Sequence, residues 1–310
     1  MSYRFDVKQF FPRRLMDAIT EARVNRPEVL EISAARRSRR ARPTRNGKLN
    51  LLACDHPGRG VIAALDQPIR MGNRQEYLGR SLRILMHPGF DGVMAHTDLV
   101  EDLLILDYLI QEAGGPSFLD NRVVAGCMNR GGIHGVLGEI HDRFTSFSAE
   151  SLARLNLDGG KMLIRAVNDD ERTLMTVGCC AEAVTALSRR GLLAFVEPLP
   201  MRGEPGAYST NYTVAELVKW VGICAGLGET SRNTWLKVPY IPDFEQVALA
   251  TTLPILLLGG PARSDPMPML KEFAAGMRCG KNVRGAMVGR NVLFPGDDDP
   301  LVMAHAVSAI

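Results

Sequence analysis

From residue 49 onward, apolar residues are concentrated in short runs separated by segments whose apolar positions recur with helical spacing. Eight such runs can be identified, and each is six to nine residues long. Near-continuous apolar runs of this length are typical of parallel β-strands buried on both faces. The predicted strands are Leu49–Asp55, Asp91–His96, Arg122–Met128, Lys161–Val167, Leu192–Pro200, Thr234–Tyr240, Pro254–Gly260 and Gly285–Val292.

The segments between these runs are amphipathic and predict helices that cross from one strand to the next. Eight strand and helix units over roughly 250 residues match the length of a (β/α)8 TIM barrel. An open doubly wound sheet is the alternative, but CDHPGRG after the first run lacks the GxGxxG spacing expected there. We therefore predict a TIM barrel. The main helix candidates are Gln75–Met86, Thr97–Gln111, Asp170–Arg190, Thr213–Leu227, Asp243–Ala250 and Met267–Met277.

The first 48 residues do not follow this alternation, and we predict a helical N-terminal extension (1–48) before a barrel domain (49–310). Its helices are expected at Phe5–Ala22 and Glu28–Arg40. Residues 1–50 hold 13 Lys or Arg against five Asp or Glu, an excess of 8, whereas the whole chain has a net charge of +3. No aromatic residues lie within the basic run Ala34–Lys48 to stack on bases, so we favour a solvated helix end or a subunit contact over nucleic-acid binding. We expect the extension to cap the bottom of the barrel or to build a homo-oligomer contact.

Bulk composition restricts the class of protein. The 310 residues are 46% hydrophobic, but the longest apolar stretches are far shorter than the ~20 residues that cross a bilayer. The charged N-terminus has no signal-peptide pattern, so we expect a soluble protein in the cytoplasm, with no membrane partner. The six cysteines form no C-x-x-C pair and are interpreted as buried apolar residues. We expect neither a metal nor a cofactor.

Lys237 lies in the middle of an apolar predicted strand. If the side chain points outward, it can extend to solvent between strand and helix. If it points inward near the C-terminal end of the strand, burial lowers the pKa of the ammonium and leaves free amine to attack a carbonyl. Periodicity alone leaves both orientations open.

Three further ionisable residues lie in other predicted strands and favour the inward orientation. Asp55 ends the first strand, Lys161 opens the fourth and Glu197 lies near the end of the fifth. A closed barrel offers polar side chains only its interior and its ends. A carboxylate beside an amine tunes its charge and can transfer protons, so the four residues together predict an active site.

Two glycine-containing segments follow the last two predicted strands, at Gly259–Arg263 and Val288–Asn291. Barrel enzymes commonly bind phosphate at this place, where backbone N–H groups approach the anion and an arginine adds paired donors. Ordinary strand-to-helix turns would have the same glycines. The predicted phosphate-binding residues are Gly259, Gly260, Gly289 and Arg290.

Over roughly Leu49 to Phe294, the chain resembles class I aldolases of the DeoC/LacD/FbaB type. The most specific motifs are LKVPYIPDFEQVA, LPILLLGGPA and AMVGRNVLF, and KMLIRAVNDDE, LLAFVEPLP and ACDH are also similar. The resemblance implies a phosphorylated sugar substrate and catalysis without metal. It implies Lys237 as Schiff-base nucleophile, Glu197 and Lys161 as acid/base or charge-tuning partners, Asp55 as a substrate-orienting or proton-transfer carboxylate, and Gly259, Gly260, Gly289 and Arg290 as phosphate ligands.

Three departures from that family indicate a separate, actinobacterial-type subfamily. They are Pro239 and Pro242 after the lysine, the long segment Asn129–Ser148 and the basic extension. The long segment is a candidate lid, because loops after barrel strands border the catalytic face. A keto sugar acid phosphate, a ketose bisphosphate and a deoxy-aldose phosphate all remain open as substrates.

Two rival functions remain beside the aldolase. The barrel could bind phosphosugars in a regulatory role without turnover. It could also be a metal-dependent aldolase or isomerase, but the histidines that would hold the ion follow no known ligand spacing. Those histidines are His56, His87, His96 and His134.

Overall fold

The computed structural model describes residues 4–133, 140–296 and 298–310. Within these residues, eight strands pair in parallel, and the last strand pairs with the first. This closure confirms the TIM barrel, and the open sheet is excluded. A ninth, two-residue strand pairs antiparallel with the end of the fifth. The strands are β1 Leu49–Cys54, β2 Gly92–Ala95, β3 Val123–Cys127, β4 Gly159–Ala166, β5 Leu193–Arg202, β6 Ser209–Thr210, β7 Thr234–Pro239, β8 Ile255–Leu258 and β9 Val283–Val288.

Twelve α-helices lie in the described part of the chain, and the six candidates between strands are all present within about two residues of their predicted ends. Short 3-10 helices also occur at Pro57–Arg59 and Arg70–Gly72. The α-helices are α1 Val7–Phe10, α2 Arg13–Asn25, α3 Val29–Arg36, α4 Arg74–Leu85, α5 Thr97–Glu112, α6 Ala149–Arg154, α7 Glu171–Arg189, α8 Val214–Ala225, α9 Phe244–Leu249, α10 Met267–Gly276, α11 Arg290–Leu293 and α12 Pro300–Ser308.

Three predicted elements have wrong boundaries. The first helix is interrupted before α2 because Pro12 cannot donate a backbone hydrogen bond and keeps its neighbour out of the helical conformation. The second ends at Arg36, because Arg37 adopts an extended backbone (φ −60°, ψ 126°) that directs the chain under the barrel. The eighth strand ends at Val288, so Arg290 belongs to α11 rather than to a strand.

Side chains alternate between the barrel interior and the space under the helices, as the pleat of a strand requires. The interior cluster includes Ala53 of β1, Phe195 of β5 and Trp235 of β7. Two residues further along each strand stand Asp55, Glu197 and Lys237. These ionisable residues therefore lie on the inward side, directly above the apolar interior.

The N-terminal extension packs helices α2 and α3 on α5 and α1 on α4. Its basic run then passes beneath the strands. There Arg37 and Arg39 bind the two oxygens of Asp158 at 3.0 and 2.9 Å, and Arg40 binds Asp91 at 2.9 Å. We call these five residues the basal ion-pair cluster. These contacts show that the basic run lies against the bottom of the barrel; the domain boundary at residue 48 and the oligomer contact stay predictions.

The sequence predicted no membrane-spanning segment and no disulfides. No helix in the described ranges is long and apolar enough to cross a membrane. All six cysteines are free thiols, and four of them are buried, as their interpretation as apolar residues requires.

Candidate active site

Four predicted ionisable residues meet at the C-terminal end of the barrel. Lys161 Nζ lies 2.7 Å from Glu197 Oε2 and 3.2 Å from Asp55 Oδ2. The same Glu197 oxygen accepts a hydrogen bond from Lys237 Nζ at 2.9 Å. All four residues are buried, with at most 6% of their surface exposed. We call this group the lysine–carboxylate cluster.

Strand register explains how Lys161 joins this cluster although it stands early in its predicted strand. Strand β4 begins at Gly159, two residues before the predicted start. Lys161 is paired with Phe195, whereas Glu197 is paired with Leu163. The backbone of Lys161 therefore lies two residues below that of Glu197, one layer of inward-facing side chains closer to the bottom of the barrel. Its long side chain extends upward and reaches both carboxylates.

The two lysines experience opposite electrostatic effects. Burial lowers the pKa of Lys237, and Lys161 lowers it further, while Glu197 acts in the opposite direction. Burial would also lower the pKa of Lys161, but Glu197 and Asp55 together raise it above its usual value. Lys161 is therefore a fixed cation, and Lys237 is the amine that loses its proton more readily.

Both carboxylates of the cluster are held in the ionised form. Burial by itself would raise the pKa of Glu197, but Lys161 and Lys237 lower it to about 2. For Asp55, burial is likewise outweighed by Lys161, and the pKa lies well below its ordinary value. An ionised carboxylate in contact with an amine of lowered pKa can accept a proton and return it, which suits carbonyl addition and dehydration.

The loop after β1 adds Arg59, which the sequence analysis did not name, and His56, which it named only as a possible metal ligand. Arg59 Nη1 lies 3.5 Å from Asp55 Oδ2, and His56 Nδ1 lies 3.8 Å from Asp55 Oδ1. Burial lowers the pKa of His56 to about 3, so its ring is neutral. The signal available in the sequence was their position directly after Asp55, at the end of a barrel strand.

The predicted phosphate loops lie side by side, after β8 and β9. The side chain of Asn291 joins them: its Nδ2 donates to the carbonyls of Gly259 and Pro261 at 2.7 and 2.8 Å, and its Oδ1 accepts from the backbone of Arg263. Sequence reasoning included Asn291 in a motif but gave it no role. The structure shows that it sets the spacing of the two loops.

Glycine is required in both loops for different reasons. A Cβ atom at Gly289 would lie 2.4 Å from the carbonyl oxygen of Ala53 and 2.6 Å from His56 Cε1, so only glycine allows this approach. Gly260 has a φ of +67° and open space where a side chain would stand. The partly buried Arg290 begins α11 beside these loops, and its Nε has no hydrogen-bond partner.

The long segment after β3 is fastened at its base. Asp142 accepts a hydrogen bond from the backbone of Gly131, and Arg130 donates to Thr145. Ser146 lies 3.4 Å from Nδ1 of His96, which ends β2 near the cluster. Residues 134–139, including His134, lie outside the described residues, so the predicted lid stays a prediction.

The three described histidines of the metal-dependent alternative do not all meet at one place. His56 and His96 stand at the top of the barrel, whereas His87 follows α4 and packs against His305 with ring centroids 5.6 Å apart. His134 is not described. In the ranges that the structure describes, no three His, Cys, Asp or Glu side chains are grouped in a way that could hold a metal ion.

The chain is similar to one family over most of its length and, more distantly, to aldolases of the same fold. A family model described as Cgl0159-like matches residues 47–309. The crystal structure of Cgl0159 from Corynebacterium glutamicum (Brevibacterium flavum) is 32% identical in sequence, with a TM-score of 0.87. The match covers 95% of this chain and 96% of that chain. No curated protein matches.

More distant solved structures share the architecture. An archaeal fructose 1,6-bisphosphate aldolase is 19% identical, with 91% of this chain and 100% of that chain covered and a TM-score of 0.62. A Schiff-base-forming fructose-1,6-bisphosphate aldolase is also 19% identical, with 90% and 98% covered and a TM-score of 0.57. At these identities the likeness concerns the fold, which is therefore aldolase-like.

Proposed function

The chain belongs to the Cgl0159-like family, and we propose that it is a class I aldolase of the DeoC/LacD/FbaB type. In this proposal it is a lyase that cleaves or forms a C–C bond of a phosphorylated sugar or keto sugar acid through a Schiff base on Lys237. The observation that carries the proposal is the 2.9 Å contact between Lys237 Nζ and Glu197 Oε2, beside the fixed cation Lys161. One structural neighbour is a Schiff-base-forming aldolase, which agrees with this chemistry.

The assignment of Lys237 rather than Lys161 as nucleophile rests on electrostatics and position. A Schiff base requires the neutral amine, and the pKa of Lys237 is lowered while that of Lys161 is raised. Lys161 is also engaged by two carboxylates, whereas Lys237 contacts one. Lys161 then acts by repelling the proton of Lys237 and by holding both carboxylates in place.

Proton transfers at the nitrogen are assigned to Glu197, the carboxylate in direct contact with it. Glu197 first accepts a proton from the ammonium form of Lys237 and passes it to the carbonyl oxygen as the neutral amine adds, which gives the carbinolamine. Glu197 then takes a second proton from the nitrogen and delivers it to the carbinolamine hydroxyl, which departs as water and leaves a protonated imine. When a base removes the hydroxyl proton of the departing fragment, the C–C bond breaks and its electron pair moves into the imine.

The base for this second proton is one of the two carboxylates. Glu197 is favoured by its contact with the nitrogen, while Asp55 binds Lys161 and lies near Arg59. In the proposal, Asp55 orients the substrate hydroxyl. Gly259, Gly260, Gly289 and Arg290 bind phosphate beyond the reacting bond, so that binding energy is used for orientation.

Borohydride trapping tests the proposal. The protein is incubated with a panel of phosphorylated ketoses, aldoses and keto acids, reduced, and analysed by intact mass and peptide mapping. We expect one stable adduct on the peptide that contains Lys237, with a mass that identifies the substrate fragment. Lys237→Met should abolish the adduct, and Lys271→Met, on the exposed face of α10, should leave it unchanged.

Other outcomes would contradict the proposal. An adduct mapped to Lys161 would reverse the roles of the two lysines. Activity without any adduct that is lost on adding a chelator would favour a metal-dependent enzyme, and phosphosugar binding without turnover would favour a regulatory barrel.

A further inference from the structure

Three buried nitrogen atoms at one edge of the active site have no hydrogen-bond partner among the residues that the structure describes. They are His56 Nδ1, Arg59 Nε and Arg290 Nε. The first two lie in the loop after β1 and the third lies directly after β9, and these two strands are neighbours in the barrel. Buried polar groups are nearly always hydrogen-bonded, so three at one place indicate that a ligand completes the site.

The two loops are in close contact, which places these groups together. The Cα of Gly289, next to Arg290, lies against the ring of His56 so closely that a Cβ atom would stand 2.6 Å from Cε1. Burial lowers the pKa of Arg290, and the positive charge of Arg59 is the next largest cause. The two guanidinium groups are therefore near enough for the charge of Arg59 to disfavour that of Arg290, a repulsion that an anion between them would relieve.

Arg59 does not form a close ion pair with its acidic neighbour, Asp55. Its closest carboxylate oxygen, Asp55 Oδ2, is 3.5 Å away, whereas charge-assisted hydrogen bonds are about 2.7–2.9 Å long. That same oxygen is bound by Lys161 at 3.2 Å. Only 14% of the Arg59 side chain is exposed, and its Nε is buried without a hydrogen-bond partner among the described residues. The guanidinium is therefore buried with unused donor capacity.

The charges around the reacting centre favour a dianion. Within the lysine–carboxylate cluster and its two neighbouring arginines, the carboxylates Asp55 and Glu197 oppose three fixed cations, Lys161, Arg59 and Arg290. Asp142 also acts on Arg59, but less than either carboxylate of the cluster. A protonated imine on Lys237 would add a fourth positive charge and leave an excess of two. A buried excess of charge is unfavourable unless a counter-ion balances it. One phosphate monoester in its dianionic form supplies that balance, and a single carboxylate does not.

We propose that Arg59 is a substrate-binding residue that, with Arg290, clamps the phosphate group of the substrate between the first and eighth strand-to-helix loops. This inference rests on the proposed function, because it names a ligand group of the same active site. It adds the loop after β1 to the phosphate site, which the glycine loops alone do not predict. His56, with its neutral ring, completes the clamp as a hydrogen-bond partner.

Inorganic phosphate is the probe that tests the clamp without requiring turnover. Isothermal titration at pH 8, where phosphate is a dianion, is compared for the full-length wild type, Arg59→Gln and Arg59→Lys, with acetate as the monoanion. We expect Arg59→Gln to weaken phosphate binding about 10- to 100-fold, as loss of a charge-assisted pair predicts. Arg59→Lys should recover part of the affinity. Arg189→Gln removes an exposed arginine of α7 that is paired with Glu229, and should change nothing.

Two results would overturn the inference: phosphate affinity within twofold of the wild type in Arg59→Gln, or equal affinity of the wild type for acetate and phosphate. Borohydride trapping separates this failure from failure of the aldolase proposal. The clamp alone is refuted if the Lys237 adduct forms normally and Arg59→Gln binds phosphate as tightly as the wild type. Arg59-dependent phosphate binding without any adduct refutes the aldolase and supports the clamp.

Discussion

The two ends of the barrel both bury clusters of opposite charges, but the clusters differ in what their carboxylates bind. In the basal ion-pair cluster, Asp158 binds two arginines and also accepts the backbone N–H of Val124 at 2.8 Å, and Asp91 accepts that of Asn50 at 2.8 Å. These carboxylates hold the beginnings of strands. At the top, the lysine–carboxylate cluster shares one Glu197 oxygen between two amines, and buried nitrogen atoms beside it lack partners.

This difference shows that buried charge alone does not identify a functional site. The basal cluster connects distant parts of the backbone, as structural ion pairs do. Both ends hold a buried guanidinium nitrogen without a partner among the described residues, Arg37 Nε at the bottom and Arg59 Nε and Arg290 Nε at the top, so this feature does not separate them. Only the upper cluster contains amines, and burial and the neighbouring Lys161 lower the pKa of one of them, Lys237. A buried amine that loses its proton more readily, beside an ionised carboxylate, marks the end of the barrel where chemistry is expected.

The largest expected effect comes from changing Lys161 to Met. Removing this cation abolishes its repulsion of the Lys237 proton, so the pKa of Lys237 should rise and the neutral amine should form only at higher pH. We expect kcat to fall about 10²- to 10⁴-fold near neutral pH, the range typical of a lost proton-transfer partner. The acid limb of the pH–rate profile should also move to higher pH. An unshifted profile, measured from pH 5 to 10, would contradict the role given to Lys161.

At the bottom of the barrel, Asp158→Ala should damage stability rather than catalysis. It leaves Arg37 buried without its carboxylate, and breaking a buried ion pair typically costs about 3–5 kcal/mol. Urea unfolding should show that loss, while kcat of the folded protein stays unchanged. Arg39→Gln removes a more exposed partner of the same carboxylate and should cost only about 0–1 kcal/mol. A large loss of kcat in either variant would mean that the two ends are coupled.

A smaller effect is expected from Asn291→Ala at the top. It removes the amide that joins the two phosphate loops, so unfolding free energy should fall by about 1–3 kcal/mol and phosphate affinity should fall with it. Asn282 is the matched control, because its amide binds the carbonyls of Ala248 and Thr251 at the bottom. Asn282→Ala should lose similar stability with unchanged phosphate affinity. If Asn291→Ala and Asn282→Ala bound phosphate with equal affinity, the role of Asn291 in spacing the two loops would be contradicted.

The pattern of apolar runs was sufficient to predict the barrel. It left the orientation of Lys237 open, and the inward orientation was favoured by the ionisable residues Asp55, Lys161 and Glu197 in other strands. Parity along a strand is a local property, which becomes inside or outside only once the ring of strands is closed. The same reasoning placed Lys161 too near the start of its strand, because Gly159 and Gly160 are poor strand residues by propensity. They are buried in β4 nonetheless, where there is little room for side chains.

What sequence reasoning missed depends on contacts between distant segments. The position of Arg59 depends on a 3-10 turn in CDHPGRG, whose direction no periodicity specifies. The basic run was assigned to solvent or to a subunit contact, because its acidic partners Asp91 and Asp158 lie 51 and 119 to 121 residues further along the chain. Only the break at Pro12 had a local signal that was available and was not used.

The basal ion pairs also have a consequence for how the molecule forms during synthesis. Arg37 emerges from the ribosome 121 residues before Asp158, so its guanidinium must remain hydrated until the fourth strand has been made. The active site has to wait longer, because it needs Lys237 and then Arg290, and β9 must pair with β1 to close the ring. Contacts this distant in sequence form slowly. A nascent chain would thus acquire its fastened base once residue 158 has emerged, and its catalytic end only after residue 290 has emerged.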